Sequence, residues 1–179
     1  VSATGYKFLG MAYEGMNDPE SIQLAFMAYN AAYRRDSLDA QTVALIAAIF
    51  NNNNQFAEAV DVTEIYRRTD TLNVDVNRQN AKAYCMLKYY KTSINRYEAL
   101  KAMGDRSFTT LYYLGVSQYA DNWPYGARDN LLEAHKKNPM DVNVLYYLAK
   151  ACARSSWKEE GIAYMNKAFD MVVPTDSMM

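Results

Sequence analysis

Apolar residues recur along the chain at intervals of three and four, the spacing of one face of an α-helix. The segment Leu111 to Gly115 reads LYYLG and returns as LYYLA at Leu145 to Ala149, a shift of 34 positions (145 − 111 = 34). The same shift also aligns three further pairs: Trp123 with Trp157, Leu131 with Met165, and Ala134 with Ala168. A fixed period in the apolar pattern predicts a repeated structural unit of this length.

Residues that can cap a helix follow the same period. Four of them lie 34 positions apart (73 − 39 = 34): Asp39, Asn73, Ser107 and Asp141. Their side-chain oxygens can accept hydrogen bonds from the free N–H groups at a helix start. Turn-prone segments such as NNNNQ at Asn51 to Gln55 separate the two apolar stretches of a repeat. Each repeat is therefore predicted to contain a helix, a short turn and a second helix, and to end near a break such as Pro139 or Pro174.

This period divides the chain into a single domain of about five repeats, with approximate bounds 5–38, 39–72, 73–106, 107–140 and 141–174. The first repeat fits only with a slipped register, and we predict an insertion in its turn, near Met16 to Glu20. The chain begins at Val1 without a signal peptide, and the capping residue Thr175 follows Pro174. We expect a fragment of a longer protein in which a further helix begins at Thr175.

These residues resemble the tetratricopeptide repeat (TPR) family. In that family the first helix carries a large residue followed by Leu-Gly or Leu-Ala, and the second carries Ala, a large residue and Ala before Pro. The positions that match best are Leu111, Leu114, Gly115, Ala127, Leu131, Ala134 and Pro139. Asn80 departs from the pattern, because Leu is usual there. The resemblance covers nearly the whole chain and implies an all-α fold: a right-handed α-solenoid of about five antiparallel helix pairs.

The pattern has a packing reason, because a two-helix repeat cannot bury its apolar face alone. Small residues such as Gly115 and Ala127 let paired helices approach closely, while Leu111 and Leu131 fill the space between neighbouring repeats. Stacked repeats then share one continuous core.

The composition and charge of the chain argue against nucleic-acid binding and against insertion into a membrane. The chain has 179 residues, of which 50% are hydrophobic, and its 20 acidic and 19 basic side chains leave no excess of positive charge for nucleic acid. The longest apolar run, Val43 to Phe50, is too short to cross a bilayer. We therefore expect a soluble segment that does not insert into a membrane. The compartment stays open between cytoplasmic and exported.

Catalytic chemistry is not expected. The single histidine, His135, has no Cys or carboxylate nearby at metal-ligand spacing, and nucleotide-binding, metalloprotease and hydrolase motifs are absent. Glu159 and Glu160 are adjacent and point to different sides of a helix. Cys85 and Cys152 lie two repeats apart, too far for a disulfide, and are interpreted as small buried hydrophobes. The sequence predicts no enzyme, no cofactor and no metal site.

A binding surface remains, and the resemblance implies that the first helices line a concave groove. Residues four apart on such a helix share a face. In the second repeat the solvent-facing stripe of the first helix carries Ala44, Ala48 and Asn52, none of which is charged. Ala44 and Ala48 stand where the chaperone-binding members of the family have the Lys and Asn that clamp a carboxylate. Later repeats supply basic and aromatic residues. The candidate groove residues are Arg78, Lys82, Tyr112, Tyr113, Val116, Tyr146, Tyr147, Lys150 and Arg154.

A groove lined by these residues predicts a non-catalytic interaction module that binds a protein or peptide. In it Arg and Lys would pair with acidic groups, and Tyr would supply apolar area. The alternative is a structural spacer or self-association scaffold within a larger protein, in which the chain forms a homodimer. A third interpretation, an RNA-reading helical repeat, is disfavoured by the net charge of −1.

Overall fold

A computed structural model of the protein describes residues 1–172, and every regular element among them is an α-helix. The ten helices of this region are α1 (Ala3–Glu14), α2 (Pro19–Tyr33), α3 (Ala40–Asn52), α4 (Phe56–Arg67), α5 (Val74–Met86), α6 (Tyr90–Ala102), α7 (Phe108–Ala120), α8 (Pro124–Lys137), α9 (Val142–Arg154) and α10 (Lys158–Val172). The predicted all-α class of helix pairs is confirmed. Pro174, Thr175 and the helix predicted to begin there lie outside the described residues.

The predicted caps stand at the start of the first helix in four pairs. The side-chain oxygens of Asp39, Asn73, Ser107 and Asp141 each accept a hydrogen bond from the backbone N–H three residues later, at the start of α3, α5, α7 and α9. The second helices α4, α6 and α8 make no side-chain cap bond. The period in cap residues therefore marks where each of these four pairs begins.

The second helix begins at the same distance from the start of the first helix in every pair, and the predicted insertion near Met16 to Glu20 is wrong. The second helix starts 16 positions after the first in the first pair (19 − 3 = 16), as it does in the second (56 − 40 = 16). Left-handed residues also occupy the turns of the first four pairs: Asn17, Asn54, Lys88 and Asn122, with φ between 54° and 67°. Asn tolerates this conformation better than most side chains, so its recurrence reflects a shared turn geometry.

The additional residues of the first repeat lengthen its second helix instead. Helix α2 has 15 residues, whereas its counterpart α4 has 12. The connections that follow, 34–39 and 68–73, are equally long. A longer helix keeps its backbone hydrogen bonds within itself, so three residues can be added there without opening the turn.

The chain divides into two compact units, of which the first is Val1–Leu87 and holds α1 to α5. Its core includes a buried cluster of Ala25, Tyr29 and Ile46, which joins α2 to α3. Here the first helix of one pair buries an apolar residue against the second helix of the pair before it, as the stacking argument predicts.

Asn80 is fully buried on α5 of the first unit, at the position where the resemblance leads one to expect Leu. Its side-chain amide donates to the Thr63 hydroxyl at 2.9 Å and to the Glu64 carboxylate at 2.9 Å. A buried amide is tolerated when its hydrogen bonds are satisfied. The departure from Leu is therefore matched by polar partners on α4.

The second unit begins at Lys88 and holds α6 to α10. Its core contains a cluster of five buried residues on α8 and α9: Ala127, Leu131, Leu148, Ala151 and Cys152. A Cβ atom added at Gly115 would lie 2.5 Å from Leu131 Cγ, which is closer than real Cβ contacts allow. The predicted roles of Gly115 as a site of close approach and of Leu131 as core are both found.

Candidate functional site

The nine predicted groove residues fall into two groups. Arg78 and Lys82 lie on α5 in the first unit. The other seven lie on α7 and α9 of the second unit, and they are Tyr112, Tyr113, Val116, Tyr146, Tyr147, Lys150 and Arg154. Each group is described within its own unit.

Tyr147 is the centre of an aromatic cluster that joins α7 to α9. Its ring makes edge contacts with three other tyrosines, at centroid distances of 6.2 Å to Tyr112, 6.2 Å to Tyr119 and 5.3 Å to Tyr146. Edge-to-face packing of this kind is favoured by the ring quadrupoles. The four rings, together with the half-buried Val116 between the two α7 tyrosines, form a surface that we call the tyrosine surface.

Two cations of α9 lie over the tyrosine surface. The Lys150 ammonium is 4.8 Å from the Tyr146 ring centroid, 5.1 Å from that of Tyr119 and 5.8 Å from that of Tyr147. The Arg154 guanidinium lies 5.1 Å from the Tyr119 centroid. Lys150 Nζ also donates to the Tyr146 hydroxyl at 3.2 Å, and this hydrogen bond raises the pKa of Lys150. These cation–π contacts hold both positive charges at defined places beside the rings.

Two members of this arrangement were missed in the sequence. Tyr119 lies on α7 seven residues after Tyr112 and three after Val116, so helical periodicity places it on the same face. Asn122 follows α7 in the turn, and its side-chain oxygen accepts a hydrogen bond from Arg154. Extending the stripe by one turn would have found Tyr119. No sequence signal pairs Asn122 with Arg154.

Tyr113 has a different environment from the other site tyrosines. Its ring stacks on Tyr97 of α6, with centroids 6.3 Å apart and planes within 6° of parallel. Tyr97 is fully buried. The Tyr113 ring also makes an edge contact with the Tyr112 ring, with centroids 5.0 Å apart. Tyr113 therefore connects the packing between α6 and α7 to the tyrosine surface, whereas Tyr146 keeps 43% of its surface exposed.

The two candidates in the first unit have their own local partners. Arg78 forms an ion pair with Asp75 at 2.8 Å, one helical turn away. Lys82 is half-buried, and burial lowers its pKa. In the preceding pair Ala44 and Ala48 are half-buried and Asn52 is exposed, so that helix face carries no charge.

His135 is half-buried and both cysteines are buried. His135 Nδ1 is buried and has no hydrogen-bond partner among the described residues, and burial together with Lys167 lowers the pKa of His135. Cys85 and Cys152 are buried thiols, and burial raises the pKa of Cys152. Within residues 1–172 no group of three or more His, Cys, Asp or Glu could hold a metal ion. Over the same range no helix is long and apolar enough to span a bilayer.

No protein-family model and no curated protein matches the chain by sequence. Solved structures do match, and several are of MamA, a TPR-like helical repeat protein. The structure "MamA 41-end from Desulfovibrio magneticus RS-1" is similar with a TM-score of 0.78 at 16% identity, covering 98% of this chain and 97% of that chain. The structure "Crystal structure of MamA protein" matches with a TM-score of 0.74 at 15% identity, covering 94% of this chain and 91% of the other. This likeness confirms a TPR-like helical repeat fold, and at this identity it extends to the fold alone.

Proposed function

We propose that the chain is a non-catalytic interaction module that binds a protein or peptide carrying carboxylates, through the tyrosine surface and the two cations of α9. The observation that carries this proposal is that Lys150 and Arg154, one helical turn apart, are both held against tyrosine rings. Positive groups fixed in this way lose less side-chain entropy when they pair with a partner.

The chemistry of the surface suits a peptide ligand. Arg and Lys form charge-assisted hydrogen bonds with carboxylates. Tyr146 adds a partly exposed ring and a hydroxyl, a combination that is enriched in protein interfaces. A peptide with an acidic residue next to an apolar one would satisfy both features.

Arg78 and Lys82 are proposed as further contacts for the partner because of their repeat positions. Lys82 lies 68 positions before Lys150 (150 − 82 = 68), which is two periods of 34, and Arg78 bears the same relation to Tyr146. Equivalent positions on first helices have the same relation to their own helix pair.

The proposal is tested with a library of immobilised peptides that contain Asp and Glu, followed by affinity measurements on the peptides that bind. We expect the double variant Lys150→Glu, Arg154→Glu to lose at least about tenfold in affinity, because it places like charges opposite the ligand. The control is Lys136→Glu, Lys137→Glu, which makes the same charge change on exposed residues of α8.

Thermal unfolding of both double variants shows whether the fold is intact. Equal peptide affinity for the wild type and the α9 double variant, with both folded, would rule out this surface. Loss of affinity in the α8 control as well would mean that net charge alone drives binding.

The second candidate function, a self-association scaffold, is supported by a different observation. Large apolar side chains are exposed on the first and last helices of the described region, α1 and α10.

A further inference from the structure

The first unit has a cleft at the edge where the turns of its first two helix pairs lie. Its volume is about 300 Å³, and it is formed by the C-terminal ends of α1 and α3 together with the first half of α2. The polar residues that line it are Glu14, Asn17, Asn52 and Asn53, and its apolar wall includes Ile22 and Ile49. We call this site the turn cleft.

The carboxylate of Glu14 is held in place from the core side of the turn cleft. Tyr29 is fully buried, and its hydroxyl donates to Glu14 Oε2 at 2.7 Å. Burial and then this hydrogen bond raise the pKa of Tyr29, so the phenol keeps its proton and remains a donor. Gly10 makes room for the ring, because a Cβ atom there would collide with it. Glu14 is therefore oriented before any ligand arrives.

The surroundings of Glu14 favour a positive charge. Glu14 is the last residue of α1, and neither α1 nor α3 has a basic residue in its last turn. The C-terminal end of a helix carries partial negative charge, so the carboxylate adds to the negative potential of two helix ends. Within residues 1–172 the Glu14 carboxylate bonds to Tyr29 alone and forms no ion pair. A cation bound here would relieve this repulsion.

The repeat shows that this carboxylate is an addition to the pattern. Counting three residues back from the left-handed residue of each later turn gives the uncharged equivalents of Glu14, which are Asn51, Cys85 and Tyr119. In the second unit Lys88, the equivalent of Asn17, lines a pocket together with Asp121. There the chain supplies its own ammonium beside an acidic side chain, whereas the turn cleft has the acid without the cation.

A second pocket continues the turn cleft and has no charged lining. Its volume is about 310 Å³. The residues that both pockets share are Ile22, Ile49 and Asn53. Pro19 and Phe26 extend the apolar lining of the second pocket. A ligand that fills both would place one positive group at Glu14 and an apolar group beside Phe26. A diamine suits the pair of pockets poorly, because its second ammonium would lose hydration without a carboxylate in return.

We propose that the turn cleft binds the ammonium group of a lysine side chain that has an apolar neighbour in a peptide or protein partner. The Glu14 carboxylate accepts a charge-assisted hydrogen bond from the ammonium. Side-chain oxygens of Asn17 and Asn53 can accept from its other two N–H groups. Ile22 and Ile49 contact the methylene chain, as apolar surfaces do around lysine stems.

This site differs from the tyrosine surface in position and in charge. It lies in the first unit and takes a cation, whereas the tyrosine surface lies in the second unit and is proposed to take carboxylates. The inference goes beyond the proposed function and does not depend on it.

The test follows binding of the capped tripeptide acetyl-Leu-Lys-Leu-amide by NMR. We expect saturable shifts in the side-chain amide signals of Asn17, Asn52 and Asn53. The same tripeptide with an Nε-acetylated lysine has no positive charge and should bind at least about tenfold more weakly. Equal binding of the two peptides would overturn the inference, and so would the lack of saturable shifts with the lysine peptide.

A charge-removing variant tests the role of Glu14. Glu14→Gln keeps a side-chain oxygen that can accept from Tyr29, and it should lose at least about tenfold in affinity for the lysine peptide. The matched control Glu58→Gln makes the same change on an exposed residue of α4 that lines neither pocket, and it should bind as the wild type does. Circular dichroism shows whether both variants fold.

Unchanged affinity in a folded Glu14→Gln variant would rule out the turn cleft, as would an equal loss in Glu58→Gln, which would mean that net charge alone attracts the peptide. Should Glu14→Gln not fold, the comparison of lysine with acetyllysine still decides.

Butylamine distinguishes a lysine side chain from a free amine. It has the aminoalkyl group of lysine without the peptide, so it cannot fill the second pocket. We expect it to bind at least about tenfold more weakly than the tripeptide. Equal affinity would mean that the turn cleft takes a free amine, and it would overturn the assignment to a peptide.

Discussion

Gly115 sets the distance between α7 and α8, because any larger residue would place a Cβ atom 2.5 Å from Leu131 Cγ. Leu131 is fully buried, so its side chain has little room to move away. In a close-packed core, a single added methyl group forces a neighbour out of its preferred rotamer.

We therefore expect Gly115→Ala to lower the free energy of unfolding by about 1–3 kcal/mol, despite the better helix propensity of alanine. Urea denaturation followed by circular dichroism measures the change. Gly15→Ala is the matched control, because a Cβ there would make only ordinary contacts at 3.5 Å and the backbone φ is −65°. A Gly115→Ala variant as stable as this control would contradict the close approach.

His135 predicts a pH dependence of stability. Burial and then Lys167 lower its folded-state pKa below the ordinary 6.5, so the unfolded chain takes up the proton at a higher pH than the folded chain does. Stability should therefore fall as the pH drops below about 6.5, down to the folded-state pKa. Midpoints of urea unfolding between about pH 7.5 and pH 5.5 measure this.

The variant His135→Gln is expected to remove this part of the pH dependence, since glutamine does not titrate. Lys167→Gln should weaken it without abolishing it, because burial is the larger cause. If His135→Gln loses as much stability on acidification as the wild type, His135 is not responsible.

At the scale of helices, the caps explain why the pairs begin where they do. A first helix starts at a residue whose side chain satisfies a free backbone N–H, as at Asp141, where the Val144 N–H donates to the carboxylate at 2.9 Å. The second helices α4, α6 and α8 rely on packing, because none of them makes a side-chain cap bond.

Asp141→Ala should destabilise the protein by about 1 kcal/mol through loss of the cap. Gln55→Ala should change stability by less than about 0.5 kcal/mol, as surface substitutions without a specific contact do. Both are measured by chemical denaturation. Equal costs for the two substitutions would mean that the caps do not define the start of the first helices.

At the scale of the whole molecule, the contacts reported within each unit join helices that are adjacent or next but one in the chain. Stability in such a repeat protein is approximately a sum of local terms. A substitution should therefore destabilise mainly the unit that contains it. Both tryptophans, Trp123 and Trp157, lie in the second unit, whereas helical circular dichroism reports on both units.

We expect Leu148→Ala, which truncates a fully buried residue at a cost of about 2–5 kcal/mol, to lower the urea midpoint of tryptophan fluorescence more than that of circular dichroism. The counterpart Ile46→Ala, at the same repeat position in the first unit, should lower the circular dichroism midpoint and leave fluorescence nearly unchanged. If both signals shift together in both variants, the chain unfolds as one cooperative block.

Much of the fold could be predicted from the sequence because its causes are local. The period of 34, the capping residues and the small residue at Gly115 each act within one helix pair. The misplaced insertion in the first repeat shows the limit of this approach. Shifts in the apolar pattern locate extra residues only to within a repeat, and only the helix bounds assigned them to α2.

The candidate site was less predictable. The four-residue spacing along the first helices identified Tyr112, Tyr146, Lys150 and Arg154, which the structure brings onto one surface. It did not separate Tyr113, whose ring packs on α6, and it missed Tyr119. Those differences depend on contacts with neighbouring helices, and the residue pattern along one helix does not report such contacts.

The sequence by itself determined the all-α class, the repeat length and the starts of the first helices, since short-range periodicity and hydrogen bonding control all three. Only the tertiary structure decided which rings hold Lys150 and which side chain accepts from Arg154, because the whole of α8 separates α7 from α9 in the chain. It also decided that Met165 is exposed among the described residues while its repeat equivalent Leu131 is buried, since burial depends on whether a neighbouring helix covers the position.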